Sequence, residues 1–273
     1  MLNYFKSVIT RFVNFCGYEL THSQTLYDSE NPYTVLSRII DSQNVKVVVD
    51  GGASIGDISE KLSVLFPRSK IYTFEPYPPF LEKLYEKAKN NENIIVEPYA
   101  LGRKTEKKLF NVNRSEGTNS LLESRDDAFK LYGSLIVQDE TIEVITKTLE
   151  LWSKQKNIHT IDILKLDGER HKTRIEKLDA LNGAKELFEL GNIKVVLCEV
   201  MFSKCYEKQP NWTEIVHFLE GFGMQLFNIY QPFFQYGQII QADLIFVAKD
   251  SISETVFSDK FHSYSKLLKK RPF

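Results

Sequence analysis

From residue 32 onward the chain alternates two kinds of apolar pattern. Short, largely β-branched or apolar runs occupy 45–50, 71–75, 94–98, 161–167 and 193–200. Runs of this length and composition suit strands buried on both faces of a sheet. Between them lie segments whose apolar residues recur at helical spacing: 57–66, 78–89, 148–156, 179–190 and 212–221. A short helix over 34–41 follows the Asn31-Pro32 turn. Pro67 ends the helix over 57–66, and Pro78 favours the start of the next. Two segments, 108–112 and 141–146, alternate in strand fashion around a polar stretch, and strands over 224–230 and 242–248 close the pattern.

Strands alternating with helices predict a mostly parallel sheet with helices on both faces. The segment 231–241 is turn-rich and too irregular for a crossover helix, which makes the last strand pair antiparallel. The expected fold is α/β and Rossmann-like: a mostly parallel seven-stranded sheet with an antiparallel last strand and an N-terminal helical extension. Residues 43–250 would form this domain, 1–42 the extension and 251–273 a tail. Within the extension, Leu2, Phe5, Val8, Ile9, Phe12, Val13 and Cys16 recur at helical spacing. That predicts an amphipathic helix suited to packing on the domain or on a second copy, or to peripheral contact with a membrane.

Composition narrows the function classes. The net charge of −1 gives no global attraction to nucleic acid or acidic lipid, and no nucleic acid is expected as a partner. No apolar run approaches the ~18 residues of a membrane-spanning helix. Lys6 and Arg11 interrupt the N-terminal apolar residues, unlike a signal peptide. The three cysteines, Cys16, Cys198 and Cys205, have no paired spacing, so neither a disulfide framework nor a cysteine-rich zinc site is expected. The expected compartment is cytoplasmic.

Candidate chemistry sits where the first strand ends. Residues 45–50 run into Gly51-Gly52-Ala53-Ser54-Ile55-Gly56 and then a helix. In doubly wound sheets ligands bind beyond the carboxyl ends of the strands, and glycines let the backbone approach them closely. The glycines alone also fit a degraded dinucleotide fingerprint. Asp50, just before them, would repel a pyrophosphate but suit the sulfonium and ammonium of S-adenosylmethionine (SAM). Glu75, ending the second strand, could accept both hydroxyls of a ribose, in SAM or in NAD.

Taken together, the ordered pieces resemble the FkbM-type family of SAM-dependent methyltransferases. They are Val-Val-Val-Asp-Gly-Gly-Ala-Ser-Ile-Gly (47–56), Ile-Tyr-Thr-Phe-Glu-Pro (71–76), Tyr-Ala-Leu-Gly (99–102) and Gly-Thr-Asn-Ser-Leu-Leu (117–122). Thr-Leu-Glu-Leu-Trp (148–152), Ile-Leu-Lys-Leu-Asp-Gly-Glu (163–169), Asn-Gly-Ala-Lys-Glu-Leu (182–187), Cys-Glu-Val (198–200) and Ala-Asp-Leu-Ile-Phe (242–246) follow. The resemblance implies a class I methyltransferase fold and methyl transfer to an oxygen of a saccharide, glycolipid or secondary metabolite. By position it places Asp50, Gly51, Gly52, Ala53, Ser54 and Gly56 along the cofactor, Glu75 on its ribose, and Pro76, Tyr77 and Ala100 near its adenine. Asp167 matches the family's Lys-x-Asp position beside the methyl group. Two departures stand out: Ser54 replaces the family's usual Asn, and the Glu-Gly order after Asp167 is lost, with Gly183 displaced several residues.

Methyl transfer to a hydroxyl needs alignment and a proton acceptor. Asp167 is the expected catalytic acid–base residue, with Glu199 at the end of the next strand facing the same crevice. His171 could join them in an oxygen/nitrogen metal site, though no metal is expected. Ser120 would lie on a loop over the pocket. Tyr206, Trp212, Phe233, Phe234 and Tyr236 could stack on an acceptor. The alternatives are an NAD(P)-dependent oxidoreductase using the same crevice and a non-catalytic binding protein that keeps the fold.

Overall fold

The computed structural model describes residues 31–115, 119–123, 134, 137–166, 176–204, 206–249 and 251. The expected amphipathic helix over 1–20, residues 252–273 of the tail, Asp167 and His171 lie outside these residues.

Helix α1 (Pro32–Ile39) starts where the Asn31 side chain accepts the Tyr33 N–H at 3.0 Å, with proline at the first helical position. Strand β1 (Val47–Gly51), helix α2 (Asp57–Leu65), strand β2 (Lys70–Phe74), helix α3 (Pro78–Asn90) and strand β3 (Ile94–Glu97) follow as two βαβ units. Then come three strands, β4 (Ala100–Leu101), β5 (Glu106–Asn113) and β6 (Gln138–Lys147). Helix α4 (Leu149–Lys156), strand β7 (Ile161–Leu166), helices α5 (Lys177–Asn182) and α6 (Lys185–Glu189), and strand β8 (Ile193–Met201) continue the alternation. Helix α7 (Trp212–Gly221), strand β9 (Met224–Gln235) and strand β10 (Gln238–Ala248) complete it.

Among the described residues, seven strands form one sheet in the order β3-β2-β1-β7-β8-β10-β9. All neighbours are parallel except β10, which runs antiparallel to both β8 and β9. The fold class is the expected one, and it puts the carboxyl ends of β1, β2, β7 and β8 along one edge. Alternate residues face opposite layers. Val49, Phe74, Leu164, Val196 and Phe246 pack with Trp152, Phe188, Ile215 and Leu219. Val48, Ile71, Ile163, Val195 and Ile245 pack with Leu36 and Ile39 of α1 and Ile58 and Leu62 of α2. Cys198 is a buried thiol in the first of these clusters.

The strands expected over 108–112 and 141–146 exist as β5 and β6. They pair with each other and with the two-residue β4 as a separate sheet, order β4-β6-β5. That small sheet caps the start of α3, where Tyr77 and Phe80 pack on Phe110, Val112 and Val144.

Two local expectations are corrected. The segment 231–241 is a hairpin: β9 and β10 extend to Gln235 and from Gln238, joined by Tyr236 (φ 50) and Gly237 (φ 79). Two consecutive positive φ values give the turn twist that hairpins favour. The antiparallel pairing inferred from it stands. The helix expected over 179–190 is instead two helices. The Gly183 carbonyl accepts the Glu150 N–H at 3.0 Å, and the Glu186 N–H donates to the Glu150 carboxylate at 2.7 Å. Both groups are drawn to α4, so the helical ladder breaks at Gly183.

Candidate functional site

At the end of β1 the chain folds back over β2. The N–H groups of Gly52 and Ala53 both donate to the Phe74 carbonyl, each at 3.0 Å. Gly52 (φ 72), Ser54 (φ 54) and Gly56 (φ 84) are left-handed, which winds the backbone tightly toward α2. Gly56 is required on two counts: a Cβ there would also lie 2.5 Å from Leu84 Cδ2. The left-handed Ser54 gives the family's usual Asn a physical reason, since Asn tolerates this region better than Ser.

Glu75 follows β2 and is fully buried. One carboxylate oxygen accepts the Ser54 N–H at 2.9 Å and the other accepts the Tyr77 N–H at 2.8 Å. The carboxylate is thereby fixed between the two chain segments. A carboxylate is an acceptor-only group of the kind that binds a ribose diol. Pro76 and the buried Tyr77 follow immediately, and Ala100 is buried in β4. This combination of a strand-end carboxylate and a left-handed glycine turn fits the nucleoside part of SAM.

Asp50 occupies the expected strand end but looks inward. It is fully buried, and its carboxylate lies 2.8 Å from the Nζ of Lys165, which is also fully buried. The pair is flush in register across β1 and β7. The other carboxylate oxygen accepts the Ser59 hydroxyl at 2.6 Å, and the Thr73 hydroxyl donates to Ser59 at 3.2 Å. The charge of Asp50 is therefore balanced within the protein. Lys165, the lysine of the Lys-x-Asp motif and a cation inside a strand buried at every position, is the residue to which sequence reasoning gave no role.

Glu199 lies near the end of β8, 3% exposed, directly across from the buried Asp243 of β10. Directly opposed antiparallel residues share a face, so the two carboxyl groups are neighbours. Glu199 Oε1 makes no hydrogen bond. Asp167, with which Glu199 was expected to act, lies outside the described residues.

Beyond the end of β8 opens a small pocket of about 40 Å³. Leu122, Met201, Tyr206, Pro210, Trp212 and Ile215 form its apolar wall, and Ser120, Glu176, Lys177 and Gln209 its polar groups. Three of the expected acceptor-side residues, Ser120, Tyr206 and Trp212, thus come together. Phe233 packs behind them on Met201, Tyr206 and Ile240. Phe234 and Tyr236 do not join: they are 57% and 94% exposed. Glu176 was not expected. Burial and the hydrogen-bonded neighbour Asp179 push its carboxyl up to about 7. Asp179 in turn is held by Arg103 at 3.0 Å and Lys108 at 3.2 Å.

No curated protein is significantly similar in sequence. Among solved structures, the methyltransferase FkbM from Methylobacillus flagellatus KT is 14% identical with a TM-score of 0.47, covering 80% of this chain. The chain spans about half of that protein's length, 48%. Magnesium protoporphyrin IX methyltransferase from Synechocystis PCC 6803, solved with bound SAM, is 11% identical with a TM-score of 0.44 and covers 89% of this chain and 97% of its own. Fibrillarin from Aeropyrum pernix, with natively bound SAM, is 12% identical with a TM-score of 0.42, covering 76% and 68%. The family assignment rests instead on the match of residues 50–226, well over half of the chain, to the model of the methyltransferase FkbM domain. The chain belongs to the FkbM methyltransferase family.

Proposed function

We propose that the protein transfers the methyl group of SAM to a hydroxyl oxygen of a small-molecule acceptor. The observation that carries this reading is Glu75, whose carboxylate is locked by the Ser54 and Tyr77 N–H groups at the mouth of the glycine turn. There it would hold the ribose hydroxyls, while Pro76, Tyr77 and Ala100 would flank the adenine. Bound SAM supplies an electrophilic methyl on a sulfonium, leaving S-adenosylhomocysteine. The chain's part is to hold the cofactor, exclude water and orient the acceptor. Asp50 acts here as an anchor: bound to Lys165 and Ser59, it fixes the end of β1 to β7 and to α2. Oxygen is favoured as the accepting atom because the pocket beyond β8 presents Ser120 and Glu176, both able to accept a hydroxyl proton in a hydrogen bond.

Melting in the presence of ligands tests the cofactor. At about 100 times its Kd, S-adenosylhomocysteine should stabilise the chain by about 2.7 kcal/mol, and NAD should leave the midpoint unchanged. Stabilisation by NAD alone would replace this reading with the oxidoreductase one. Transfer of labelled methyl to a hydroxyl, identified by mass spectrometry of the product, tests the accepting atom; a methylated nitrogen or carbon overturns it.

A further inference from the structure

We infer that the tip of the β9–β10 hairpin docks on an anionic lipid surface, which it meets through Phe234 and Tyr236. This goes beyond the proposed function and does not depend on it. The sequence places both rings at the acceptor; they are instead exposed, Tyr236 at 94%. β9 is antiparallel to β10 and β10 to β8, so β9 runs parallel to β8 and ends at the same edge of the sheet. That edge carries the glycine turn. β8 pairs only as far as Met201 with Gln241, whereas the hairpin continues to the pair of Gln238 with Gln235. Residues 238–240 and their partners therefore overhang the last β8 pair by about 10 Å.

Two features make this tip a poor surface for water. The first is chemical. Residues 221–242 hold no charged side chain, and the overhang presents aromatic rings, Ile239 and glutamines. Phe233 packs inward on Met201, Tyr206 and Ile240, while Phe234 and Tyr236 face out. Uncharged aromatic side chains settle at a headgroup boundary, where a tyrosine ring is covered and its hydroxyl stays wet. The second is conformational. Tyr236 takes φ 50 at the hairpin turn, a position that favours Asn, Asp or Gly. A large ring there costs backbone free energy, and at this exposure packing within the chain does not offset it. Contact with an outside surface does.

The ends of the chain favour a lipid over a protein as the partner. Residues 1–18 carry Lys6 and Arg11 and no acid, and their apolar residues recur at helical spacing. Residues 260–273 carry Lys260, Lys266, Lys269, Lys270 and Arg271 and no acid. Cationic segments with apolar residues are drawn to anionic headgroups and bury those residues at the boundary. A second copy of the chain has the same cationic ends and offers them no such attraction. The chain outside the described residues runs over 1–30 and 252–273. At up to about 3.3 Å per residue, either end is long enough to reach the plane of the tip. Docked in this way, the tip rests among the headgroups and the edge with the glycine turn faces the bilayer.

The test is sedimentation of the full chain with vesicles, one set of phosphatidylcholine alone and one of phosphatidylcholine mixed equally with phosphatidylglycerol. Partition onto the anionic vesicles should be stronger by about tenfold, and the difference should shrink as salt is raised. Phe234→Ser combined with Tyr236→Asn should weaken that partition by about tenfold, the loss expected when two rings no longer enter the boundary. The melting midpoint should not fall, because both positions are exposed and Asn suits the turn. Unchanged partition of the double variant overturns the inference, as does failure of the native chain to bind the anionic vesicles. A concentration-dependent dimer that the double variant dissolves, measured by analytical ultracentrifugation, assigns the tip to a second copy and overturns it as well.

Discussion

At the β1–β2 end of the sheet the site is made of main chain; at the β8 end it is made of side chains. Gly52, Ala53, Ser54 and Tyr77 contribute N–H groups, all tied to the Phe74 carbonyl or the Glu75 carboxylate within a short stretch of sequence. The pocket draws on residues near 120, 176, 201, 206 and 212 and has no such local framework. A main-chain site depends on backbone conformation and tolerates side-chain change wherever φ is ordinary. A side-chain site can be altered one wall residue at a time without disturbing the turn. This suits an enzyme family with one cofactor and varied acceptors.

The sharpest way to break the comparison is to remove the buried pair that anchors the main-chain half. Lys165→Met leaves Asp50 buried and uncompensated, and should cost about 3–5 kcal/mol in denaturant unfolding. Adding Asp50→Asn to it should restore most of that loss, because the pair is replaced rather than broken. Next comes the joint between the halves. A Cβ on Gly183 would sit 2.1 Å from the Gly102 carbonyl oxygen, so Gly183→Ala should cost about 3 kcal/mol and alter both sides together. Within the turn, Glu75→Gln leaves one acceptor oxygen and sets an NH2 donor against the other backbone N–H; about 2 kcal/mol of stability and at least tenfold in S-adenosylhomocysteine affinity should be lost.

The smallest effect belongs to the acceptor half. Glu176 is raised from 4.5 to about 7, so the folded chain binds more protons than the unfolded one between those values. Stability should fall as pH rises from about 4.5 through about 7 and level off above it, relative to Glu176→Gln. Melting midpoints of the two proteins across that range measure the difference.

The sheet was legible because its strands are short apolar runs and its helices amphipathic; each carries its own period. The turn was legible because glycines and strand-end acids are local signals. Lys165 was visible only as a break in an apolar run, since its partner lies on a strand more than a hundred residues earlier. That pairing also changes an inference. An ionised Asp50 facing the cofactor would discriminate against a pyrophosphate, but one balanced by Lys165 does so far less, and the preference for SAM rests on the family match. Glu176 left little trace in sequence because Arg103 and Lys108, which hold its i+3 neighbour Asp179, lie far earlier in the chain. The separation of α5 from α6 was hidden for a similar reason: it follows from hydrogen bonds of Gly183 and Glu186 to Glu150, more than thirty residues earlier.

Ser54 in its left-handed conformation, latched by the Glu75 carboxylate, has a kinetic consequence. The turn reaches its working shape during folding, so an arriving cofactor meets a preformed rim there. Association should then be a single bimolecular phase, linear in cofactor concentration, with residence time set by the dissociation rate. Releasing the latch would convert the same encounter into a two-step process whose observed rate saturates.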